Sequence, residues 1–202
     1  MCASSALGYN VTLMPELHKR ARARGVTLVE VMITVVIVGI LAVVAVVAYR
    51  KKIASSKITE ATQIIQNIRA AQDAYKAETG KYADVSSSLT AFYPAASPGT
   101  FTTAWGAACT NCKTNMDWTR LNVQVTAPVQ FGYATVAGDA SATPASKGVS
   151  ISVNGSVVNL AALNGVAWYA VAAQGDTNGN GVPVNLYATS AGGDVMIDKE
   201  GE

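Results

Sequence analysis

Residues 24–49 read R-G-V-T-L-V-E-V-M-I-T-V-V-I-V-G-I-L-A-V-V-A-V-V-A-Y, from Arg24 to Tyr49, and the remainder of the chain is arranged around them. From Val31 to Tyr49 there are 19 consecutive residues without a charge. A helix of about 20 mostly apolar residues crosses the hydrocarbon core of a bilayer, so the run is long enough to span one. Glu30 stands near its start. An ionised carboxylate in hydrocarbon costs at least about 2.5 kcal/mol, so this one demands a partner.

Outward from the run, residues 1–25 carry Lys19, Arg20, Arg22 and Arg24 against Glu16, a local charge of +3 within a whole-chain charge of +2. That segment lacks apolar periodicity and reads as a basic leader. Positive residues beside a membrane segment favour the cytoplasmic side, although Arg50, Lys51 and Lys52 at the other end reduce the bias. Met14 offers a second possible start. A cleaved secretory signal would have an apolar core of about 7–15 residues before small residues at the cut, shorter than this run and without an acid. A simple single-pass anchor fits the length and leaves Gly25 and Glu30 without a role.

The arrangement of Gly25, Val26, Thr27, Glu30, Met32, Gly39, Ile40 and Leu41 resembles the N-terminal segment of type IV pilins and pseudopilins. The resemblance covers roughly residues 19–82 and implies that prepilin peptidase cuts after Gly25. It implies methylation of the new amine on Val26, and an assembly role for Glu30, with Thr27 beside it. Val26 stands where the family usually has Phe, and Val47 where many members carry Pro. The implied partners are other pilins in a homo- or hetero-oligomeric filament, an inner-membrane assembly platform and the lipid bilayer. The chain would sit in the bacterial inner membrane before assembly and then in a surface or periplasm-spanning filament.

Beyond the run, Ile58, Ala61, Ile65, Ile68, Ala71, Gln72 and Tyr75 recur at the helical period, and Gly80 stands where a helix ends in a left-handed cap. Residues 81–103 read as a connecting loop with a short helix over Val85–Phe92. Alternating β-branched and aromatic runs follow at Asn122–Thr126, Gln130–Val136, Val149–Val153, Val166–Ala173, Asn185–Ser190 and Val195–Asp198, with Asn154-Gly155 as a two-residue hairpin turn. The expected fold is α+β, a long N-terminal helix on an antiparallel sheet of about four or more strands. The expected division is a leader at 1–25, a transmembrane and assembly helix at 26–49, its amphipathic second half at 50–80, and a β-rich domain at 81–202.

Cys109-Thr110-Asn111-Cys112 lacks the further ligands that zinc needs and the βαβ context of a redox motif. A small structural disulfide is the favoured reading, with two free thiols as the other. Asp176-Thr177-Asn178-Gly179-Asn180-Gly181 resembles the start of a calcium loop, but Tyr187 fills the twelfth place where a bidentate Glu belongs. The other reading is an Asn/Gly-rich turn. His18, the only histidine, lies in the leader, so no Ser-His or Cys-His pair is expected in the processed chain and no enzyme is read. Trp105, Trp118 and Trp168 are expected in the core more than on a binding surface. No cofactor is implied, no metal site is claimed, and no basic patch announces nucleic acid. Two alternatives stay open: a type II secretion pseudopilin, and a membrane-tethered binding or adhesin module.

Overall fold

The computed structural model describes residues 25–106, 109, 111–113 and 117–199. The expected leader, apart from Gly25, lies outside the described residues. The chain divides into two compact units, Met1–Val43 and Val44–Glu202. Helix α1 runs from Leu28 to Thr79, and all its residues through Ile53 are exposed. Beyond them it becomes one-sided, burying Ile58, Ala61, Ile64, Ile65, Ile68 and Gln72. This is the expected stripe with Ile64 added, and with Ala71 and Tyr75 half-buried at its margin. Gly80, at φ +80°, ends the helix by donating its N–H to the Lys76 carbonyl at 2.8 Å, a conformation that glycine adopts without steric cost.

A four-residue helix α2, Trp118–Leu121, precedes six strands: β1 Gly132–Gly138, β2 Ser152–Val153, β3 Ser156–Val157, β4 Trp168–Gly175, β5 Val184–Thr189 and β6 Met196–Asp198. The main sheet has the order β1-β4-β5-β6 and is antiparallel throughout, while β2 and β3 form a separate hairpin. The architecture is α+β and pilin-like. Successive side chains of a strand point to opposite faces. Tyr133 and Ala137, Tyr169, Val171 and Ala173, and Val184, Leu186 and Ala188 therefore meet the α1 stripe. Ala134, Val136, Trp168, Ala170 and Ala172 face the other way, under Leu89, Phe92, Val149, Ile151 and Leu163. Both faces of the sheet are thus covered.

Polar side chains of α1 reinforce this contact. Gln72 is fully buried and satisfied at both ends of its amide. It donates to the Ala83 carbonyl at 2.8 Å and the Thr135 hydroxyl at 3.0 Å, and accepts from the Ala83 N–H at 2.8 Å. Lys57 donates to the Thr177 carbonyl at 2.9 Å. Arg69 donates to the carbonyls of Gly193 and Gly192 at 2.6 and 2.7 Å. The helix is thereby tied to the loops on either side of β5.

Two expected elements do not form. Val85–Phe92 is not a helix: Val85 enters the helix-side core, whereas Leu89 and Phe92 enter the opposite one. Their three- and four-residue spacing imitates a helix because the segment wraps the edge of the sheet. Its backbone bonds to β1, with Ser86 N–H to the Thr135 carbonyl at 2.9 Å, and Tyr93 and Tyr133 exchanging bonds at 2.9 and 2.7 Å. Asn122–Thr126 is not a strand. Val123 is buried and Val125 half-buried, with exposed Asn122 before them and exposed Gln124 between, so the alternation is present while the backbone forms no strand among the described residues. The other expected strands form with shifted ends, and of Val149–Val153 only Ser152–Val153 pairs. Asn154-Gly155 makes the expected turn, with φ values of 50° and 78° that suit a type I′ hairpin.

Asp84 fastens this edge strip to the sheet. Its Oδ1 accepts from the Ala137 N–H at 3.1 Å, and its Oδ2 forms ion pairs with Lys147 at 2.7 Å and with Lys113. Burial raises the carboxyl's pKa, but the hydrogen bonds from Lys113, Lys147 and Ala137 outweigh it and hold the group below its ordinary value. A folded value below the unfolded one stabilises the fold above the ordinary carboxylate range, and that contribution is lost as pH falls through the folded value. Asp84→Asn should therefore lower stability by about 1–3 kcal/mol at neutral pH. The gap from the unaltered chain should close below pH of about 4, read by denaturant unfolding of detergent-solubilised protein. Gly138 is fixed by contact instead, because a Cβ there would lie 2.7 Å from the Trp168 ring. Gly138→Ala should lower stability by about 1–3 kcal/mol through overpacking, seen as a reduced melting temperature.

Candidate functional site

Gly25, Val26 and Thr27 precede α1 and have no regular secondary structure. The helix starts where it does because of Thr27. Its hydroxyl accepts from the Glu30 N–H at 3.2 Å, and its carbonyl accepts from the Val31 N–H at 3.2 Å. The first bond satisfies a backbone donor that the first turn leaves without an intrahelical partner, and the second is the first i to i−4 bond of the helix. Thr27-Leu28-Val29-Glu30 has the spacing of a capping box, a signal readable in the sequence that gives Thr27 a local structural role. Glu30 lies in the first turn, where the positive end of the helix dipole favours an anion. Among the described residues no ion pair reaches its carboxylate.

Past Glu30 the surface is apolar on every side. Val26 is 67% exposed and Leu28 76%, and the large hydrophobics from Val29 to Val47 are exposed as well. A single stripe would be enough to dock a helix on its own domain. Exposure all round is what a helix shows when its surroundings are lipid or other helices. The stretch is long and apolar enough to cross a membrane.

The remaining candidates fall elsewhere in the fold. Cys109 and Cys112 are joined as a disulfide with Cα atoms 5.6 Å apart. The loop that holds them leads directly to Lys113, whose N–H bonds the Val85 carbonyl at 2.8 Å and whose ammonium reaches Asp84. Asp176 spends both carboxylate oxygens on the turn itself. One accepts from the N–H groups of Asn178 and Gly179 at 3.2 and 2.7 Å, and the other from Gly181 at 2.9 Å. Burial raises its pKa, and these backbone donors, Gly181 foremost, more than reverse the effect. The run is an Asn/Gly-rich turn held by its own aspartate. Among the described residues no group of three or more His, Cys, Asp or Glu is placed to hold a metal ion.

Trp118 and Trp168 are buried, while Trp105 is half-buried against the helix-side core. Trp105 packs on Trp118 and Tyr93 with ring centroids 5.3 and 5.0 Å apart, and these aromatics belong to packing. Asp84 is the residue whose importance sequence reading missed. An isolated aspartate in a polar loop gives no signal until the fold brings Lys113 and Lys147 to it.

Residues 20–46 match the family model described as the prokaryotic N-terminal methylation motif. The match covers the last basic residues of the leader, Gly25, Glu30 and most of the apolar run. The motif indicates a type IV pilin-like or pseudopilin-like precursor, and a leader of this kind implies processing by prepilin peptidase and assembly into pilin filaments. The motif and the apolar helix together are consistent with anchoring in the inner membrane. Neither a curated protein nor a solved structure matches the chain. With the disulfide in place, protein that has lost its leader should take up no thiol-alkylating reagent under denaturing conditions. It should take up two equivalents after reduction, counted by intact mass.

Proposed function

We propose that this protein is a structural subunit of an envelope filament, a type IV pilin of the major or minor kind, and not an enzyme. The observation that carries this reading is the methylation motif at residues 20–46 on a helix with one half exposed all round and the other half roofing a sheet. Residues 1–25 act as a leader, cut after Gly25 by prepilin peptidase. Residues 26–49 hold the subunit in the bilayer and later in the filament. Residues 50–80 dock the helix on its domain, and residues 81–202 form the surface-facing part.

The assembly chemistry is a change of partner. Cleavage leaves a positive amine on Val26, which becomes methylated. In the filament, Glu30 of one subunit meets the amine of a neighbour, and two charges that are costly to bury apart become one pair. Taking away one member of such a buried pair costs about 3–5 kcal/mol. The apolar surface from Val31 to Ala48 exchanges lipid for equivalent helices of other subunits, with the assembly platform of the inner membrane as the site of transfer. A pseudopilin of type II secretion would use the same helix. A membrane-tethered binding module would need neither the cut after Gly25 nor Glu30.

Sequencing of the mature N-terminus should begin at Val26 and carry one methyl group. A start at Tyr49, or an uncut leader in cells with prepilin peptidase, would overturn the reading. Glu30→Ala should leave a folded, exported domain that is lost from sheared surface filaments. Undiminished incorporation of that variant would remove the proposed role of the carboxylate.

A further inference from the structure

The apolar run ends in Tyr49; Arg50, Lys51 and Lys52 follow it, and all four are exposed. Successive residues of an α-helix are 100° apart, so four in a row encircle the axis. They form a ring, with no side of the helix left without a polar or aromatic end. On one side of the ring lie Val44 to Ala48, exposed all round. On the other lies Ile58, where the buried stripe begins. Among the described residues no ion pair or hydrogen bond engages these four side chains, whereas four cations elsewhere in the unit are committed to the fold. Lys57 is held by the Thr177 carbonyl, Arg69 by Gly192 and Gly193, and Lys113 and Lys147 by Asp84.

We infer that Tyr49, Arg50, Lys51 and Lys52 form a binding collar for the headgroups of anionic phospholipids. A single protein partner approaches a helix from one direction and would select one face. A ring of three cations suits surroundings that are the same in all directions, which is what a plane of headgroups presents. Lysine and arginine stems lie along apolar surface while their heads reach phosphate oxygens, and a tyrosine at this level is the usual interfacial anchor. The collar fixes the depth of the helix at one end. It is also the block of basic residues that stays beside the apolar run once Lys19, Arg20, Arg22 and Arg24 leave with the leader. The inference rests on the reading that residues 31–49 cross a bilayer.

The test compares the chain isolated from membranes with an Arg50→Gln/Lys51→Gln/Lys52→Gln variant and a Lys81→Gln/Lys199→Gln control. In detergent with equimolar phosphatidylglycerol and phosphatidylcholine, native mass spectrometry should show phosphatidylglycerol adducts in excess by about fivefold or more, the factor that one basic residue supplies at an anionic surface. The excess should fall to near parity in the triple variant, persist in the control, and survive a large excess of inorganic phosphate. Equal adducts on the unaltered chain, an undiminished preference in the triple variant, or displacement by inorganic phosphate would each overturn the collar. So would a triple variant that keeps its lipid preference yet fails to enter filaments, since the ring would then serve a neighbouring protein. Carbonate washing of all three chains in phosphatidylcholine vesicles separates the two ideas. A chain that washes off contradicts the bilayer span itself, whatever the adducts show.

Discussion

The contact between one stripe of α1 and the inward face of the sheet is the interaction on which the domain depends. Ala61, Ile65 and Ile68 are fully buried there against side chains of β1, β4 and β5. Burying an Ile or Leu side chain contributes about 1.5–3 kcal/mol, so the stripe is a major fraction of what a small domain has. A sheet with only one covered face would leave Tyr133, Tyr169 and Leu186 in water. The helix closes that side, and Gln72 locks its register by spending its amide on Ala83 and Thr135.

This contact also explains how one helix serves two environments. A surface helix needs about one apolar stripe to sit on its own domain, and α1 has that from Ile58 to Gln72. From Val31 to Ala48 there is no polar face at all, which no contact within a single domain requires. The chain thus carries, in one continuous element, a part whose partner is already present and a part whose partner must come from outside. Lipid and neighbouring helices both meet that need, so the two roles proposed for residues 26–49 use the same surface in succession.

How much of this was legible in the sequence depended on whether the signal was local. The helix, its end at Gly80 and the Asn154-Gly155 turn are set by residues adjacent in the chain, and they stand where periodicity and turn chemistry put them. The Gly25-to-Glu30 spacing was legible for the same reason. Asn122–Thr126 misled because alternation reports burial on one side, while a strand also needs a partner for its backbone. Val85–Phe92 misled because a segment crossing a sheet edge drops apolar side chains into two cores at a spacing that a helix shares. Asp84 gave no signal, since Lys113 and Lys147 are far from it in sequence. Its role exists only after folding.

The strip from Ala83 to Pro94 has a further consequence for how copies of this chain can meet. A sheet ends in rows of unpaired N–H and carbonyl groups, which recruit stray strands and seed aggregates. Along β1 those groups are occupied by Ser86, Tyr93 and the Asp84 carboxylate. At the other border, Asp198 of β6 is engaged by the N–H of Asn154 from the small hairpin. Strand-to-strand growth of the kind that builds amyloid is blocked at β1 and obstructed at β6. Copies of the chain held at high concentration can then lie side by side without their sheets templating one another.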